Sequence, residues 1–414
     1  MPLATLPSQD ARFKGFRIFD VSYKFVDSHP IQTSVLVPSS ACKGPRPIIV
    51  RFHGGGLVNG TRLHAPWFPP YLLTYAIAHS ATIISPDYRL LPEASGLDIL
   101  SDISSLWSWL FTSLHAYLLL KDPLNTPYGV DLGQIMVSGE SAGGWLAIQS
   151  ALMHPNRIKV ILGIFPMLDL GDEHFTRGGR RIINVNTSCL HTEGAPSCTT
   201  VAKVPTSTSP KLLLRENTDR ASQAKQIVGV GALLDARIID EHIAAAARAR
   251  THRTGGGVIS SVTPPARAEL SLALFQHGRV GELLGGEREL YPLEVLEDKM
   301  TTMTMTMMRR RCDAAGGGGK TAAAARFLPP PLCVIHGTDD TVVPVQGSRR
   351  FCRAWEKTWR VQQQCDGRAI GDGGGAVVKL VLRPGEHGFE ATASEEEDGW
   401  LREALGWVAD RWLS

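Results

Sequence analysis

A serine able to act as a nucleophile lies in the segment Gly-Glu-Ser-Ala-Gly-Gly at residues 139–144. A β-rich run at 134–138 precedes it, and a helical run at 142–153 follows it. This strand–turn–helix context is the one that a G-x-S-x-G nucleophile elbow requires. Small neighbours let Ser141 adopt a strained turn that exposes its hydroxyl for attack on an acyl carbon. The alternative is a glycine-rich turn in which Ser141 only caps the helix.

A second glycine-rich loop, His-Gly-Gly-Gly at 53–56, follows a predicted strand at 47–52. Glycines leave backbone N–H groups unobstructed, so the N–H groups of Gly54, Gly55 and Ala142 are predicted to form an oxyanion hole. We expect His53 to hold this loop through a ring-nitrogen hydrogen bond and not to act as a base. The alternative for the loop is a flexible turn.

Two acids and a histidine complete the set. The run 332–344 reads as a buried strand and then a turn that carries Asp339 and Asp340. Asp340 is preferred as the acid because the spacing H-G-x-x-D-x-x-V-P places it there, with Asp339 as a turn-former. His387 follows a strand at 377–382 and is the expected general base. His336 ends its strand and is interpreted as a packed structural residue.

The chain order Ser141, Asp340, His387, with each residue on a loop after a strand, is the order of a hydrolase triad. In such a triad the acid fixes the histidine tautomer, and the histidine takes the serine proton. No cofactor or metal is expected, because the seven cysteines show neither metal-binding nor disulfide spacing.

Strands must position these residues, and short apolar runs alternating with helical runs predict a parallel sheet covered on both faces. The α/β pattern occupies 1–170 and 328–414, which we assign as two parts of one core. Residues 171–327 are predicted to form an inserted helical cap with disordered loops. Helices are predicted at 69–79, 98–120, 238–247, 264–284, 346–359 and 395–412. Residues 178–220 lack periodicity, and 301–326 are predicted to be a disordered loop of low complexity.

Composition excludes several classes. Hydrophobic residues make up 43% of the 414 residues, which excludes a fully disordered chain and a collagen-like fibre. Basic and acidic residues number 43 and 40, so the net charge of +3 gives no reason to expect nucleic acid as a partner. Neither a signal peptide nor a run of 18 apolar residues is evident. We therefore expect no stable membrane insertion and a cytoplasmic location. The oligomeric state is left open.

These motifs resemble the α/β-hydrolase superfamily, and within it the hormone-sensitive-lipase-like esterases, most of all the fungal ones. The matching residues are those at 53–56, 139–144 and the block Ser-Pro-Asp-Tyr-Arg-Leu-Leu-Pro-Glu at 85–93. The resemblance implies an eight-stranded, mostly parallel sheet with a helical cap and cleavage of a small or medium acyl ester. It also implies that Arg89 and Glu93 brace their loop. Some fungal relatives are encoded near secondary-metabolite genes, which suggests that setting here.

The acid segment departs from the family pattern, because the usual D-P-L-x-D-E motif is absent. The same machinery could act on an amide, a thioester or a polyketide. Two other classes stay open. One is a non-catalytic ligand receptor on this fold, which the presence of His387 disfavours. The other is an inactive product of a faulty gene model, which the composition of 178–220 and 301–326 suggests.

Overall fold

The computed structural model describes residues 11–177, 183–186, 228–230, 233–251, 257–316, 327–366 and 376–414. Within these residues, eight strands form one sheet in the order β1-β2-β4-β3-β5-β6-β9-β10, and β7 and β8 form a second, two-stranded sheet. The strands are β1 Phe16–Val26, β2 His29–Pro38, β3 Arg46–Phe52, β4 Thr82–Pro86, β5 Val130–Glu140, β6 Val160–Ile164, β7 Asn184–Asn186, β8 Val228–Val230, β9 Leu332–Gly337 and β10 Val378–Arg383. The predicted α/β class and mostly parallel eight-stranded sheet are confirmed.

Eleven α-helices are present in the described part of the chain. They are α1 Pro70–Ala78, α2 Gly96–Thr112, α3 Leu114–Lys121, α4 Ala142–Met153, α5 Glu173–Thr176, α6 Arg237–Thr251, α7 Ala268–His277, α8 Val280–Leu284, α9 Pro292–Gly316, α10 Val345–Cys365 and α11 Gly399–Trp412. Helices α5 to α9 fall between β6 and β9, within the segment assigned to the cap.

The central strands are apolar because helices cover both faces of the sheet. Every residue of β3, β4, β6 and β9 is buried. Along β3, Ile48 and Val50 pack into one hydrophobic cluster with α2, α4 and α10. Ile49, pointing the opposite way, packs into a second cluster with α1 and α11. The strand side chains therefore join two cores, one on each face.

One edge of the sheet is antiparallel. β1 and β2 form a hairpin whose two turn residues, Asp27 and Ser28, have φ of 46° and 67°. This left-handed pair matches the type I′ turn that suits two-residue hairpins. β2 then pairs antiparallel with β4, and β4 begins the parallel part of the sheet. The hairpin and β6 were missed in the sequence, since their residues carry no motif.

Two predicted helices are divided in the structure. The run predicted as one helix at 98–120 is α2 and α3, which meet at Ser113 with a bend of 59°. The hydroxyl of Thr112 bonds back to the Ser108 carbonyl at this bend, an alternative to regular helix continuation. The run predicted at 264–284 is α7 and α8, separated by Gly278 in the left-handed conformation that ends helices.

The prediction of a disordered loop over 301–326 is wrong for its first part, because α9 continues to Gly316. Methionine is a good helix former. The hydroxyls of Thr301 and Thr304 donate hydrogen bonds to backbone carbonyls one turn earlier in the same helix. Met303 is buried, so one face of this repeat contributes to packing. Residues 317–326, and most of 178–220, lie outside the described residues.

Within the described residues, no single helix has the length and apolar content to cross a membrane. The bent pair of α2 and α3 reaches the threshold only when its two helices are counted together, on length and composition alone.

The topology places the predicted chemistry at one edge. β3, β5, β9 and β10 run parallel, so their carboxyl ends lie side by side. The loop at 53–56, Ser141, Asp340 and His387 follow these four ends in turn. Open α/β sheets bind ligands at this edge.

Candidate active site

Ser141 occupies a strained turn between β5 and α4, with φ 52° and ψ −117°. Its N–H donates to the Ile164 carbonyl over 2.9 Å. A Cβ on Gly143 would lie 2.1 Å from the Phe52 carbonyl oxygen, so only glycine permits this close approach of α4 to β3. The Ser141 side chain makes no capping hydrogen bond to α4, which argues against a capping role.

The glycine loop lies directly against this serine. A Cβ placed on Gly54 would be 3.4 Å from the Ser141 Cβ, and Gly55 and Gly56 have φ of 111° and 63°. Within the described residues, the N–H groups of Gly54 and Gly55 have no hydrogen-bond acceptor. Ala142 opens α4, and the first N–H groups of a helix have no partner within it. The three predicted oxyanion donors therefore come together beside the serine.

His53 supports this loop. Its Nδ1 donates to the Gly54 carbonyl over 2.8 Å, and its ring stacks on Tyr88 with centroids 4.4 Å apart. Burial lowers the pKa of His53 to about 3, so the ring is neutral at physiological pH. The expected ring-nitrogen bond to the loop is present.

His387 and Asp340 form a hydrogen-bonded pair. His387 Nδ1 donates to Asp340 Oδ2 over 2.8 Å. The other carboxylate oxygen of Asp340 accepts the N–H groups of Val342 and Val343 over 2.9 and 2.8 Å. Burial by itself would raise the pKa of Asp340, but His387 and a hydrogen bond from His336 outweigh it and hold that pKa well below its usual range. With Nδ1 acting as donor, the other nitrogen of a neutral His387 ring can accept a proton.

Asp339 has a different partner. Its Oδ2 accepts the N–H of Gly385 over 2.9 Å, and its own N–H donates to the Gly385 carbonyl over 3.1 Å. These bonds join the β9 loop to the loop that carries His387. The geometry thus gives the histidine contact to Asp340, the acid preferred from the spacing.

His336 has a contact that sequence reasoning missed. Its Nε2 lies 2.8 Å from the Val343 carbonyl and 3.2 Å from Asp340 Oδ2. Because a carbonyl oxygen only accepts, Nε2 carries the proton, and Nδ1 accepts from the Ser348 hydroxyl over 2.8 Å. His336 is buried, as expected, but it also orients the acid. The four-residue spacing between His336 and Asp340 was the available signal.

A buried ion pair fixes the elbow to the sheet. Arg51 of β3 contacts both carboxylate oxygens of Glu140, at 3.2 and 2.8 Å, and its guanidinium lies 4.2 Å from the centre of the Phe68 ring. Burial raises the pKa of Glu140, and the adjacent Arg51 opposes that shift. Glu140 is the variable position of G-x-S-x-G, so the motif gave no indication of this role.

Ser141 and His387 face one cavity with about 1040 Å³ of empty space, including its open mouth. Phe165 packs against His387 with ring centroids 4.3 Å apart and the ring planes tilted by 56°. Most of the lining is apolar or aromatic: Trp67, Phe68, Phe165, Leu272, Phe275 and Val342. Ser271, Leu272 and Phe275 belong to α7, so the inserted segment forms one wall.

The two predicted bracing residues have separate partners. Arg89 binds Asp102 and Asp98 of α2. Glu93 binds Arg267, the residue before α7. In the described part of the chain, no group of three His, Cys, Asp or Glu side chains could hold a metal ion.

Comparison with known proteins gives related sequences and a related fold. A family model of the alpha/beta hydrolase fold matches residues 49–228. The "Probable carboxylesterase M8" of Phoma sp. is 29% identical over 407 residues, covering 97% of this chain and 98% of that protein. The "Probable carboxylesterase clz11" of Cochliobolus lunatus is 46% identical over 89 residues, covering 21% of this chain and 39% of that protein. A solved bacterial heroin esterase has a TM-score of 0.50 at 17% identity, covering 98% of this chain and 87% of that one, and is similar in fold.

The chain has the α/β-hydrolase fold. The motifs at 53–56, 85–93 and 139–144 resemble those of the hormone-sensitive-lipase-like esterases.

Proposed function

We propose that this enzyme, a carboxylic-ester hydrolase, cleaves its substrate through a triad of Ser141, Asp340 and His387. The hydrogen bond of 2.8 Å between His387 Nδ1 and Asp340 Oδ2 carries the proposal, because it aligns a base in the cavity that Ser141 also faces. The strained backbone of Ser141, which presents its side chain to that cavity, supports the same assignment.

In the first half-reaction His387 accepts the Ser141 hydroxyl proton as the serine oxygen attacks the ester carbonyl. The carbonyl oxygen becomes negative and is held by the N–H groups of Gly54, Gly55 and Ala142. One such donor typically contributes about 2.7–4 kcal/mol of transition-state stabilisation. The buried Asp340 carboxylate stabilises the imidazolium that forms. His387 then gives its proton to the departing alcohol, leaving Ser141 acylated.

In the second half-reaction His387 removes a proton from water, which attacks the acyl-enzyme. Collapse of the second tetrahedral intermediate releases the carboxylic acid, and the proton returns to Ser141. None of these steps uses a cofactor or a metal ion.

The substrate we propose is a small or medium acyl ester. Aromatic and aliphatic side chains of the cavity suit an apolar acyl group, and α7 closes one side. An amide, a thioester or a polyketide ester would use the same nucleophile. Those alternatives differ in the leaving group, which His387 protonates in every case.

The test is hydrolysis of p-nitrophenyl esters from acetate to decanoate by the wild type and by Ser141→Ala. Removing the nucleophile should lower kcat by about 10⁴-fold or more, with an unchanged far-UV spectrum. A Ser138→Ala variant is the matched control, because Ser138 is a buried serine of β5, the strand that precedes Ser141, and does not line the cavity. Equal activity in the wild type and Ser141→Ala would contradict the triad. A folded, inactive wild type that binds esters would favour the receptor.

A further inference from the structure

The chain that leads into α7 is attached to the motif loops of the core. Val262 and Gly60 exchange two backbone hydrogen bonds, both of 2.9 Å. The N–H of Leu90 donates to the Ile259 carbonyl over 2.8 Å. Gly60 lies just beyond the glycine loop at 53–56, which we call the oxyanion loop, and Leu90 lies in the block at 85–93. The inserted segment therefore crosses both motifs before it enters α7.

Arg267 lies at the end of this crossing, directly before α7, and its side chain makes the most extensive polar contacts of the crossing segment. Its guanidinium donates to Glu93 Oε1 and Oε2 over 2.6 and 3.0 Å, to the Leu91 carbonyl over 3.2 Å and to the Val58 carbonyl over 3.4 Å. The side chains of Arg267 and Glu93 are only 12% and 9% exposed. Because this bidentate ion pair is largely shielded from solvent, it fixes both the distance and the angle between the two side chains.

One turn later, α7 lies against the oxyanion loop. The N–H of Ser271 donates to the Arg267 carbonyl, which links the pair to the helix. A Cβ on Gly56 would be 2.8 Å from the Ser271 Oγ and 3.2 Å from the Phe275 ring, so helix and loop are in contact. Ala268, Ser271, Leu272 and Phe275 of α7 line the cavity.

We propose that Arg267 and Glu93 are a positioning pair that fixes α7 against the oxyanion loop and thereby sets the size of ester the cavity accepts. Neither residue touches the reacting atoms. Glu93 acts through Arg267, and Arg267 acts through the α7 wall. The inference rests on the proposed esterase function and adds a determinant of its specificity.

The experiment measures kcat/KM for the p-nitrophenyl ester series in Arg267→Met, which keeps the length of the side chain and removes its charge. We expect the ratio of kcat/KM for the best ester to kcat/KM for the ester with two more acyl carbons to fall by about tenfold. The reason is that α7 can then move away from Gly56. Arg267→Lys retains the charge but not the bidentate geometry, so we expect the same ratio to fall by about threefold. kcat for the acetate ester should stay within about twofold.

Arg279→Met is the matched control. Arg279 lies just beyond the opposite end of α7 and pairs with Glu282 and Asp240, away from both motifs. Its chain-length profile should remain that of the wild type. If Arg267→Met does not fold, the double variant Arg267→Met/Glu93→Leu leaves no unpaired buried charge and should show the same loss of preference.

A second readout needs no catalysis. Amide hydrogen exchange at residues 271–276 should be faster in Arg267→Met than in the wild type, and unchanged in Arg279→Met. An unaltered chain-length profile together with unaltered exchange would overturn the positioning role. An inactive wild type, or activity that persists in the Ser141→Ala variant, would instead reject the proposed triad. The hydrogen-exchange result would still decide the role of Arg267.

Discussion

At the scale of single residues, the two adjacent acids of the β9 loop show how one position decides chemistry. The carboxylate of Asp340 accepts hydrogen bonds from two backbone N–H groups and from two histidines. Asp339 instead bonds to Gly385 and so joins two loops. Both are aspartates in one turn, and only the direction of each side chain separates them.

Exchange of each acid for its amide tests this difference. Asp340→Asn is expected to lower kcat for an ester substrate by about 10⁴-fold, since an amide can favour the wrong tautomer of His387. Asp339→Asn should lower kcat by less than about tenfold, because it weakens only a bond between loops. The measurement is steady-state hydrolysis by the two variants side by side. The reverse ranking would move the acid role to Asp339.

At the scale of elements, the close contact between α4 and β3 positions Ser141, the proposed nucleophile. Gly143 makes that contact possible, and the ion pair of Arg51 with Glu140 joins β3 to β5, the strand that precedes Ser141. The histidine and the acid follow two other strands of the sheet, so their alignment depends on neighbouring strand ends and not on the elbow alone.

Gly143→Ala should therefore disrupt the elbow. Its new Cβ would fall 2.1 Å from the Phe52 carbonyl oxygen, which forces α4 away from the strand. We expect the free energy of unfolding to drop by about 1–3 kcal/mol and ester hydrolysis to fall by at least about 100-fold. Urea denaturation and esterase assays measure the two effects.

Gly406→Ala is the control for that substitution. Gly406 lies in α11, and its added Cβ would meet nothing within 4 Å. Alanine in a helix should stabilise the protein by about 0.5–1 kcal/mol, with activity unchanged. If both variants kept full activity and stability, the close contact would not position Ser141.

At the scale of the whole molecule, both faces of the sheet are closed by helices, and a few ionisable groups are enclosed with the apolar core. Glu390, which follows the His387 loop, is 4% exposed, and its Oε2 has no hydrogen-bond partner among the described residues. Burial, and to a smaller extent the nearby carboxylates of Glu140 and Asp340, raise the pKa of Glu390 from 4.5 to about 8. The native protein therefore keeps this proton where the unfolded chain has lost it.

This difference gives stability a pH dependence. Between pH 4.5 and 8 the native state binds one more proton at Glu390 than the unfolded state, so the free energy of unfolding falls as pH rises. The slope from this group is at most about 1.4 kcal/mol per pH unit. Glu390→Gln should remove that slope, so the variant gains stability relative to the wild type on going from pH 5 to pH 8.

Urea denaturation at pH 5, 6.5 and 8 measures the effect. Glu396→Gln, with an exposed side chain six residues further on, is the control and should follow the wild-type pH dependence. Parallel curves for the wild type and Glu390→Gln would show that Glu390 is ionised in the native state.

The sequence by itself determined the features that are local to one strand and its loop. The elbow at Ser141, the glycine loop after β3, and the choice of Asp340 all follow from short patterns with fixed spacing, because backbone conformation and neighbouring side chains are set there by adjacent residues. The alternation of buried strands with helices likewise gave the α/β class, since burial on both faces requires apolar runs.

Only the tertiary structure decided the contacts between distant segments. Arg51 and Glu140 are 89 residues apart, and Arg267 and Glu93 are 174 apart. No local pattern encodes such pairs, because they depend on which strands become neighbours and on where the inserted segment crosses them. Helix α9 shows the same limit from the other side. Its Thr-Met repeat lacks a clear pattern, and packing beside α10, with Met303 buried, accompanies a helix that composition did not predict.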